Sequence, residues 1–413
     1  MRRVGVLLAV VLAVAAVAAV VVRDGSPAAG KAAVSAPRET VSPSPSASGD
    51  LSPSPSPSPS ASASPSPFPS SLWTGPPSYL LRLRLLGSLG GHISPKSVVA
   101  TQTGLVFAQN MMYTHTITVY DARRRRLVKT ISDGVDLGRL GFESLGWTRG
   151  APVEAAVSAD RRSVYVSNYS MYGPGFSHEG HDVCTPYQGI DRSFVYRVDL
   201  RRLKVVQAIR VGMVPKFLAT TPDGRYLLVS NWCSYSLSVV DIAQGLQVRE
   251  IRLGAYPRGI AVDRDSRYAY VAVMGANDIA RVDLRTFRVR WWSDIGGGPR
   301  HLILSPSGRW LFATFNSEGA VAKIDVRTGR VVRKVVTGDQ TRSMTMAPDG
   351  ASLYVVNYES GCVSKVRAAD LKVVQVVRTA WHPIGITYDS RTKTVWVACY
   401  GGSIMIFKDA VRR

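Results

Sequence analysis

The sequence predicts an all-β fold, a seven-bladed β-propeller built from four-stranded blades. Short apolar runs of four to six residues, rich in β-branched and aromatic side chains, alternate with turn signals such as Pro222-Asp223-Gly224. This pattern returns every 42 residues, which is the repeat length of a propeller blade. One position of the repeat is usually proline: Pro215, Pro257, Pro299 and Pro383. Thr341 occupies this position in the remaining repeat of the series.

A second set of equivalent positions, the ends of the third strands, gives the number of blades. The third strand of each repeat is expected to end at residues 121, 199, 241, 283, 325, 367 and 409, most of which are aspartates. Such regular aspartates are expected to bond the backbone of the next hairpin rather than to catalyse a reaction. The last repeat holds only three strands, so the apolar run at residues 80–86 is predicted to supply its fourth strand and close the ring.

Several repeated phrases resemble one propeller family. TPDGRYLLVSN, APDGASLYVVNY and SADRRSVYVSNY are similar to the repeats of the YVTN-repeat propellers, the YncE-like group. The resemblance extends over about 330 residues and implies the propeller fold. It implies no single function, because binding proteins and enzymes share this scaffold.

The N-terminal part is divided from the propeller by composition. Residues 1–23 contain an apolar stretch, residues 4–22, that follows two arginines and predicts a signal peptide or a transmembrane anchor. Valines after its Ala-x-Ala steps disfavour cleavage, so we expect a single-pass protein with an extracytoplasmic propeller, or a secreted one if cleavage occurs. Residues 24–78 are predicted to be a disordered Ser/Pro-rich linker, and residues 79–413 the propeller.

The charge balance indicates the class of partner. The chain has 51 Lys and Arg against 29 Asp and Glu, a net charge of +22. Such an excess favours an anionic partner: nucleic acid, a phosphate-bearing wall polymer or a small anion. The alternative is that arginines at hairpins are only solvated. We expect a monomer that contacts the membrane through its N-terminal segment.

Basic residues recur at one position of the repeat. The residue after each repeat proline opens a first strand on what we call the upper face, where loops enter first strands and leave second strands. In the repeats this position is basic five times out of seven, the exceptions being Val153 and Ile384. We call the five the basic ring, and predict that it binds an anion unless acidic side chains pair with it: Lys96, Lys216, Arg258, Arg300 and Arg342.

Other predicted ligand-binding residues lie on the same face. Amide and aromatic side chains end the second strands, and two histidines stand beside the first strands. Cations mixed with aromatic rings suit single-stranded nucleic acid, a sugar or an aromatic ligand, while packing between blades is the alternative. These residues are Asn168, Tyr169, Asn231, Trp232, Asn357, Tyr358, Tyr400, His301 and His382.

The long insertion of blade 2 contains a candidate metal site. His178 and His181 precede Cys184 with spacing that suits zinc or copper, although a polar surface loop is the simpler interpretation. No other cofactor is predicted. In an exported chain four cysteines suggest disulfides, and we favour Cys184–Cys233 and Cys362–Cys399 among three connectivities, with buried free thiols as the alternative.

Three functions follow from these features. The favoured hypothesis is a membrane-tethered propeller that binds an anionic ligand on its upper face. The second is an enzyme of the lactone hydrolase or lyase type that uses upper-face histidines, although the sequence contains no familiar catalytic motif. The third is a protein-interaction platform formed by the insertions at residues 132–151 and 169–192.

Overall fold

A computed structural model describes residues 73–411 of the chain, which form seven antiparallel sheets. The predicted transmembrane segment and the predicted linker up to residue 72 lie outside these residues. Among residues 73–411, none of the helices is both long enough and apolar enough to cross a membrane. The helical elements within this range are short 3-10 turns: Ser78–Leu80, Gly138–Leu140 and Met274–Ala276.

The strands follow the predicted order. Strand β1 (Arg82–Leu89) precedes the first blade. Blade 1 holds β2 (Pro95–Ala100), β3 (Leu105–Asn110), β4 (Thr116–Asp121) and β5 (Arg126–Ser132). Blade 2 holds β6 (Val135–Asp136), β7 (Trp147–Val157), β8 (Ser163–Tyr172), β9 (Arg192–Asp199) and β10 (Lys204–Met213). Blade 3 holds β11 (Pro215–Thr220), β12 (Tyr226–Asn231), β13 (Ser236–Asp241) and β14 (Leu246–Arg252).

The remaining blades repeat this plan. Blade 4 holds β15 (Pro257–Val262), β16 (Tyr268–Val273), β17 (Asp278–Asp283) and β18 (Val289–Trp292). Blade 5 holds β19 (Pro299–Leu304), β20 (Trp310–Phe315), β21 (Ala320–Asp325) and β22 (Val331–Val336). Blade 6 holds β23 (Thr341–Met346), β24 (Ser352–Asn357), β25 (Cys362–Arg367) and β26 (Lys372–Arg378). Blade 7 holds β27 (Pro383–Asp389), β28 (Thr394–Cys399) and β29 (Ser403–Ala410), together with β1.

The predicted third-strand ends are confirmed. Strands β4, β9, β13, β17, β21 and β25 end at the expected residues, and β29 ends one residue later, at Ala410. Most aspartates at these ends bond the next turn, as expected: Asp199 Oδ1 accepts hydrogen bonds from the backbone N–H groups of Arg201 and Arg202, at 2.9 and 2.8 Å. Asp409 is the exception, because its buried carboxylate accepts hydrogen bonds from Lys365 and Tyr354 instead. The other regular aspartates are turn residues.

The apolar core lies between neighbouring blades. Leu228 and Val239 of blade 3 are buried against Val271 and Val282 of blade 4 in one cluster. Second strands such as β12 are buried along their whole length, whereas fourth strands such as β22 are half-exposed or exposed throughout. This gradient explains why the inner strands have nearly continuous apolar runs and the outer ones mix Val with Arg and Lys.

The N-terminal strand closes the ring, as predicted. Strand β1 pairs antiparallel with β29 from Arg82↔Ala410 to Leu89↔Ile404, close to the predicted residues 80–86. Residues just before it also pack on the propeller, because the Ser78 backbone N–H and hydroxyl both donate to the Asp349 carboxylate. The packed part of the chain thus extends past the predicted boundary at residue 79.

One predicted disulfide forms and the other does not. Cys184 and Cys233 are bonded, with their Cα atoms 5.4 Å apart. Cys362 and Cys399 are free and buried, so the predicted second bridge is wrong and the alternative of buried thiols holds for this pair. Cys362 begins a third strand whereas Cys399 ends a second strand, so the two do not occupy equivalent places in their blades.

Candidate functional site

The first strands of neighbouring blades contact one another and form the inner wall of the propeller. Each first strand contains a register shift directly after its repeat position, for example between Pro215 and Phe217 and between Thr341 and Met344. A β-bulge re-aims the residue it contains, and in five of the seven blades that residue is the member of the basic ring. Gly259 marks how close the strands come, because a Cβ on it would lie 2.6 Å from the Arg300 carbonyl oxygen of blade 5.

The five cations of the basic ring converge. Lys96, Lys216, Arg258 and Arg300 are buried, and Arg342 is half-buried. Their charges act on one another: burial and then the charges of Arg258 and Arg342 hold the pKa of Arg300 well below its usual value. The tertiary structure therefore collects five cations from blades 1, 3, 4, 5 and 6 in one low-dielectric region.

Two carboxylates pair with part of this ring. Glu154 Oε1 lies 3.8 Å from both Lys96 Nζ and Arg258 Nη2, and Asp182 Oδ1 lies 2.8 Å from Lys216 Nζ. The sequence reasoning missed both acids. Glu154 directly follows Val153, which holds the basic-ring position in blade 2, so the repeat could have located Glu154 beside the ring. Asp182 lies in an insertion outside the repeat, so no repeat position locates it.

Arg300 has no such partner. Within residues 73–411 its guanidinium forms no ion pair within 4 Å and no hydrogen bond, and its buried Nε is unsatisfied. Burial and the charges of Arg258 and Arg342 lower its pKa, and the opposing effect of Glu154 and Asp182, from further away, does not restore it. A buried cation without an acceptor costs free energy unless an anion joins it. Arg300 is thus a buried cation that no carboxylate within 4 Å balances in the described propeller.

Burial and repulsion also change the protonation of neighbouring groups. Burial, followed by the Arg258 charge, lowers the pKa of Lys216 to about 7, although Asp182 opposes this shift. The pKa of Lys96 is lowered well below its ordinary value for the same reasons. Burial and the charges of Arg258 and Arg300 lower the pKa of His301 to about 3, so its imidazole is neutral at physiological pH.

Aromatic rings flank two of the cations, Lys216 and Arg342. Lys216 Nζ lies 4.4 Å from the Tyr169 ring centroid and 5.0 Å from that of Trp232. The Arg342 guanidinium carbon lies 3.7 Å from the Tyr358 centroid, and its Nη2 donates to Gln340 at 2.9 Å. Such contacts hold the cations by cation–π attraction without neutralising them.

A stack of rings continues outward from Tyr358. His382 is stacked on Tyr358 with centroids 4.0 Å apart, and the exposed Trp381 is stacked on His382 at 3.5 Å. Tyr400 meets Tyr358 edge-on at 6.5 Å. His382 Nε2 lies 3.4 Å from the Glu359 carboxylate, and its buried Nδ1 has no hydrogen-bond partner among the residues that the structure describes.

The predicted asparagines lie inside the blades. Asn231 is fully buried, and its Nδ2 donates to the hydroxyls of Ser236 and Ser238 at 3.1 and 2.8 Å. Asn357 and Asn168 are equally buried and bond their own blades, Asn357 to Ser364 and Asn168 to Phe194. These amides brace second strands against third strands.

The predicted metal ligands are not brought together. His178 and His181 are exposed on the insertion, and Cys184, the third residue of that pattern, is in a disulfide. Within residues 73–411, no three His, Cys, Asp or Glu side chains form a group that could hold a metal ion.

Comparisons with known proteins point to one group of propellers. The model of the cytochrome D1 heme domain family matches residues 301–406, which span blades 5 to 7. A dihydro-heme d1 dehydrogenase of Pseudomonas aeruginosa is 36% identical over 78 residues, 19% of this chain. The chain spans 15% of the length of that curated relative.

A solved structure shares the fold. Hydrazine synthase of Kuenenia stuttgartiensis matches with a TM-score of 0.62 and 17% identity, over 78% of this chain and 98% of that one. Together with the seven sheets and the β1–β29 pairing that closes their ring, these likenesses show a seven-bladed β-propeller related in fold to heme d1 domains and to a chain of hydrazine synthase.

Proposed function

We propose that this propeller is a binding module for an anionic ligand, held at the upper face by the basic ring. The observation that carries the proposal is Arg300, a buried guanidinium without an acceptor among residues 73–411. Two nearby carboxylates cannot balance five cations, so a carboxylate or phosphate would relieve both desolvation and repulsion. The sequence supports placing this module outside the cell on a membrane anchor, with repeats of the YVTN type.

The test replaces Arg300 by methionine, which keeps most of its volume and removes its charge. Binding of inorganic tripolyphosphate, measured by calorimetry, should weaken by about tenfold or more, because one charge-assisted contact contributes about 1.5–3 kcal/mol. Arg290, an exposed arginine on the outer strand of blade 4, supplies the control R290M. Equal affinities of R300M and R290M would reject the ring as the site.

Unfolding of R300M would not account for its weaker binding, because we expect this variant to be stable. Methionine at position 300 removes a buried, unpaired charge, so we expect R300M to be more stable than the original chain, by about 1–4 kcal/mol in urea unfolding. R290M should stay within about 0.5 kcal/mol, as exposed substitutions usually do.

A second candidate ligand is a heme-type tetrapyrrole, favoured by the family match over residues 301–406 and by the dihydro-heme d1 dehydrogenase match. The residues fit in part: Arg300 and Arg342 suit the carboxylates of such a ring, and His301 is neutral, the form that ligates iron. His382 fits poorly, because its Nδ1 is buried and its ring is covered by Trp381 and Tyr358. A bound heme would supply electron-transfer chemistry.

Titration with hemin tests this candidate. We expect a shifted Soret band with the original protein and with H382A, and its loss with H301A, since His301 is the side chain proposed to meet the iron. If hemin keeps the spectrum of the free compound in the presence of all three proteins, the heme candidate is eliminated and the anion proposal is unaffected.

A further inference from the structure

The insertion of blade 2, residues 173–191, places a carboxylate of the chain itself against the basic ring, at the opening that we call the mouth, between Lys216 and Tyr169. Asp182 Oδ1 accepts hydrogen bonds from Lys216 Nζ at 2.8 Å and from Tyr169 OH at 3.1 Å. Lys216 and Tyr169 were both predicted to hold an external ligand. A carboxylate that bridges them shows the kind of group that this part of the mouth accepts.

The two members of this ion pair differ sharply in exposure. The Lys216 side chain is 6% exposed, whereas that of Asp182 is 77% exposed. The buried ammonium needs a negative partner, whereas solvent reaches the carboxylate and can hydrate it when it leaves Lys216. The pair is therefore one that an external anion can replace from the solvent side.

Three contacts hold the carboxylate close to its position. Trp232 Nε1 donates to the Asp182 carbonyl oxygen at 2.9 Å, and Tyr235 OH donates to the Cys184 carbonyl oxygen at 2.7 Å. The Cys184–Cys233 disulfide ties the same segment to blade 3. A tethered group acts at a high effective concentration, so it competes well against a dissolved anion.

We infer that Asp182 is an internal ligand of the basic ring, which an external carboxylate or phosphate displaces from Lys216 and Tyr169, and that the disulfide keeps Asp182 in place. This inference rests on the proposed function and adds how anion binding at the basic ring is regulated. The affinity of the mouth for anions is set by competition with the insertion, and a ligand binds fully only when Asp182 withdraws.

The experiment compares the original chain with D182N and E179Q in calorimetric titrations with inorganic tripolyphosphate at about pH 6, below the pKa of about 7 that Lys216 has in the original chain, so that Lys216 carries its charge. Glu179 lies in the same insertion and accepts a hydrogen bond from Tyr172 OH at 2.5 Å, so E179Q removes an equal charge away from the ring. We expect D182N to bind about tenfold more tightly, as removal of a competing ion pair allows, and E179Q to match the original chain.

The C184S/C233S variant tests the tether. It should also bind tripolyphosphate more tightly, and adding D182N to it should gain little more, because both changes remove the same competitor. Equal affinities of D182N and E179Q, with R300M still weakened, would overturn the internal ligand and leave the proposed function standing. If neither the original chain nor D182N bound tripolyphosphate, the proposed function and this inference would fall together.

Discussion

At the scale of single residues, Lys216 shows how burial turns a charge into a sensor of pH. Its ordinary pKa of 10.5 falls to about 7 because burial and the neighbouring Arg258 both disfavour the ammonium form. The unfolded chain therefore binds more protons than the folded chain between these two values, so Lys216 makes folding less favourable at low pH and this penalty disappears as the pH rises towards 10.5.

This pKa predicts the pH dependence of anion binding. Protonated Lys216 attracts an anion and neutral Lys216 does not, so tripolyphosphate affinity, compared with that of K216R at the same pH, should fall as the pH rises through about 7. Calorimetric titrations between about pH 6 and 8.5 at constant ionic strength measure the effect. K216R keeps its charge over that range and should show a smaller decline, whereas equally steep profiles for both proteins would contradict the assignment.

At the scale of secondary-structure elements, strand position decides what a cysteine can do. The sequence places Cys184 and Cys233 in blades 2 and 3, and Cys362 and Cys399 in blades 6 and 7, which suggested bonds between neighbouring blades. Cys399 ends β28 inside an apolar cluster with Tyr354 and Val397, and burial raises the pKa of its thiol to about 11. A thiol in that setting is inert, because only the thiolate reacts.

Thiol counting tests this arrangement. The folded protein should react slowly or not at all with Ellman's reagent, and the unfolded protein without reductant should release two thiols, those of Cys362 and Cys399. A count of zero after unfolding would mean that the second bridge forms, and a count of four would exclude the Cys184–Cys233 disulfide.

At the scale of the whole molecule, ring closure depends on a buried ion pair as well as on strand pairing. Lys365 Nζ of blade 6 lies 2.5 Å from Asp409 Oδ1 of blade 7, and both side chains are fully buried. Lys365 also donates to the Leu81 carbonyl oxygen at 3.0 Å, and Tyr354 OH donates to the other oxygen of Asp409. This cluster joins blade 6 to β29 and to the residue directly before β1, the two strands that close the ring.

Removing one partner of that pair should weaken closure strongly. K365M leaves the Asp409 carboxylate buried without its cation, so we expect a loss of about 3–5 kcal/mol in the free energy of unfolding. The double variant K365M/D409L removes both charges and should recover most of the loss. Urea unfolding followed by tryptophan fluorescence measures both, and a double variant no better than K365M would refute the pairing argument.

The sequence by itself determined the propeller, its seven blades and the closing strand, because each blade repeats the same apolar and turn pattern at a constant step. It also located the five positions of the basic ring, since a repeat places equivalent residues around one axis. Only the tertiary structure decided which charges are paired. Glu154 and Asp182 reach the ring across blade boundaries, and no periodicity specifies where an insertion will place its carboxylate or whether two cysteines will meet.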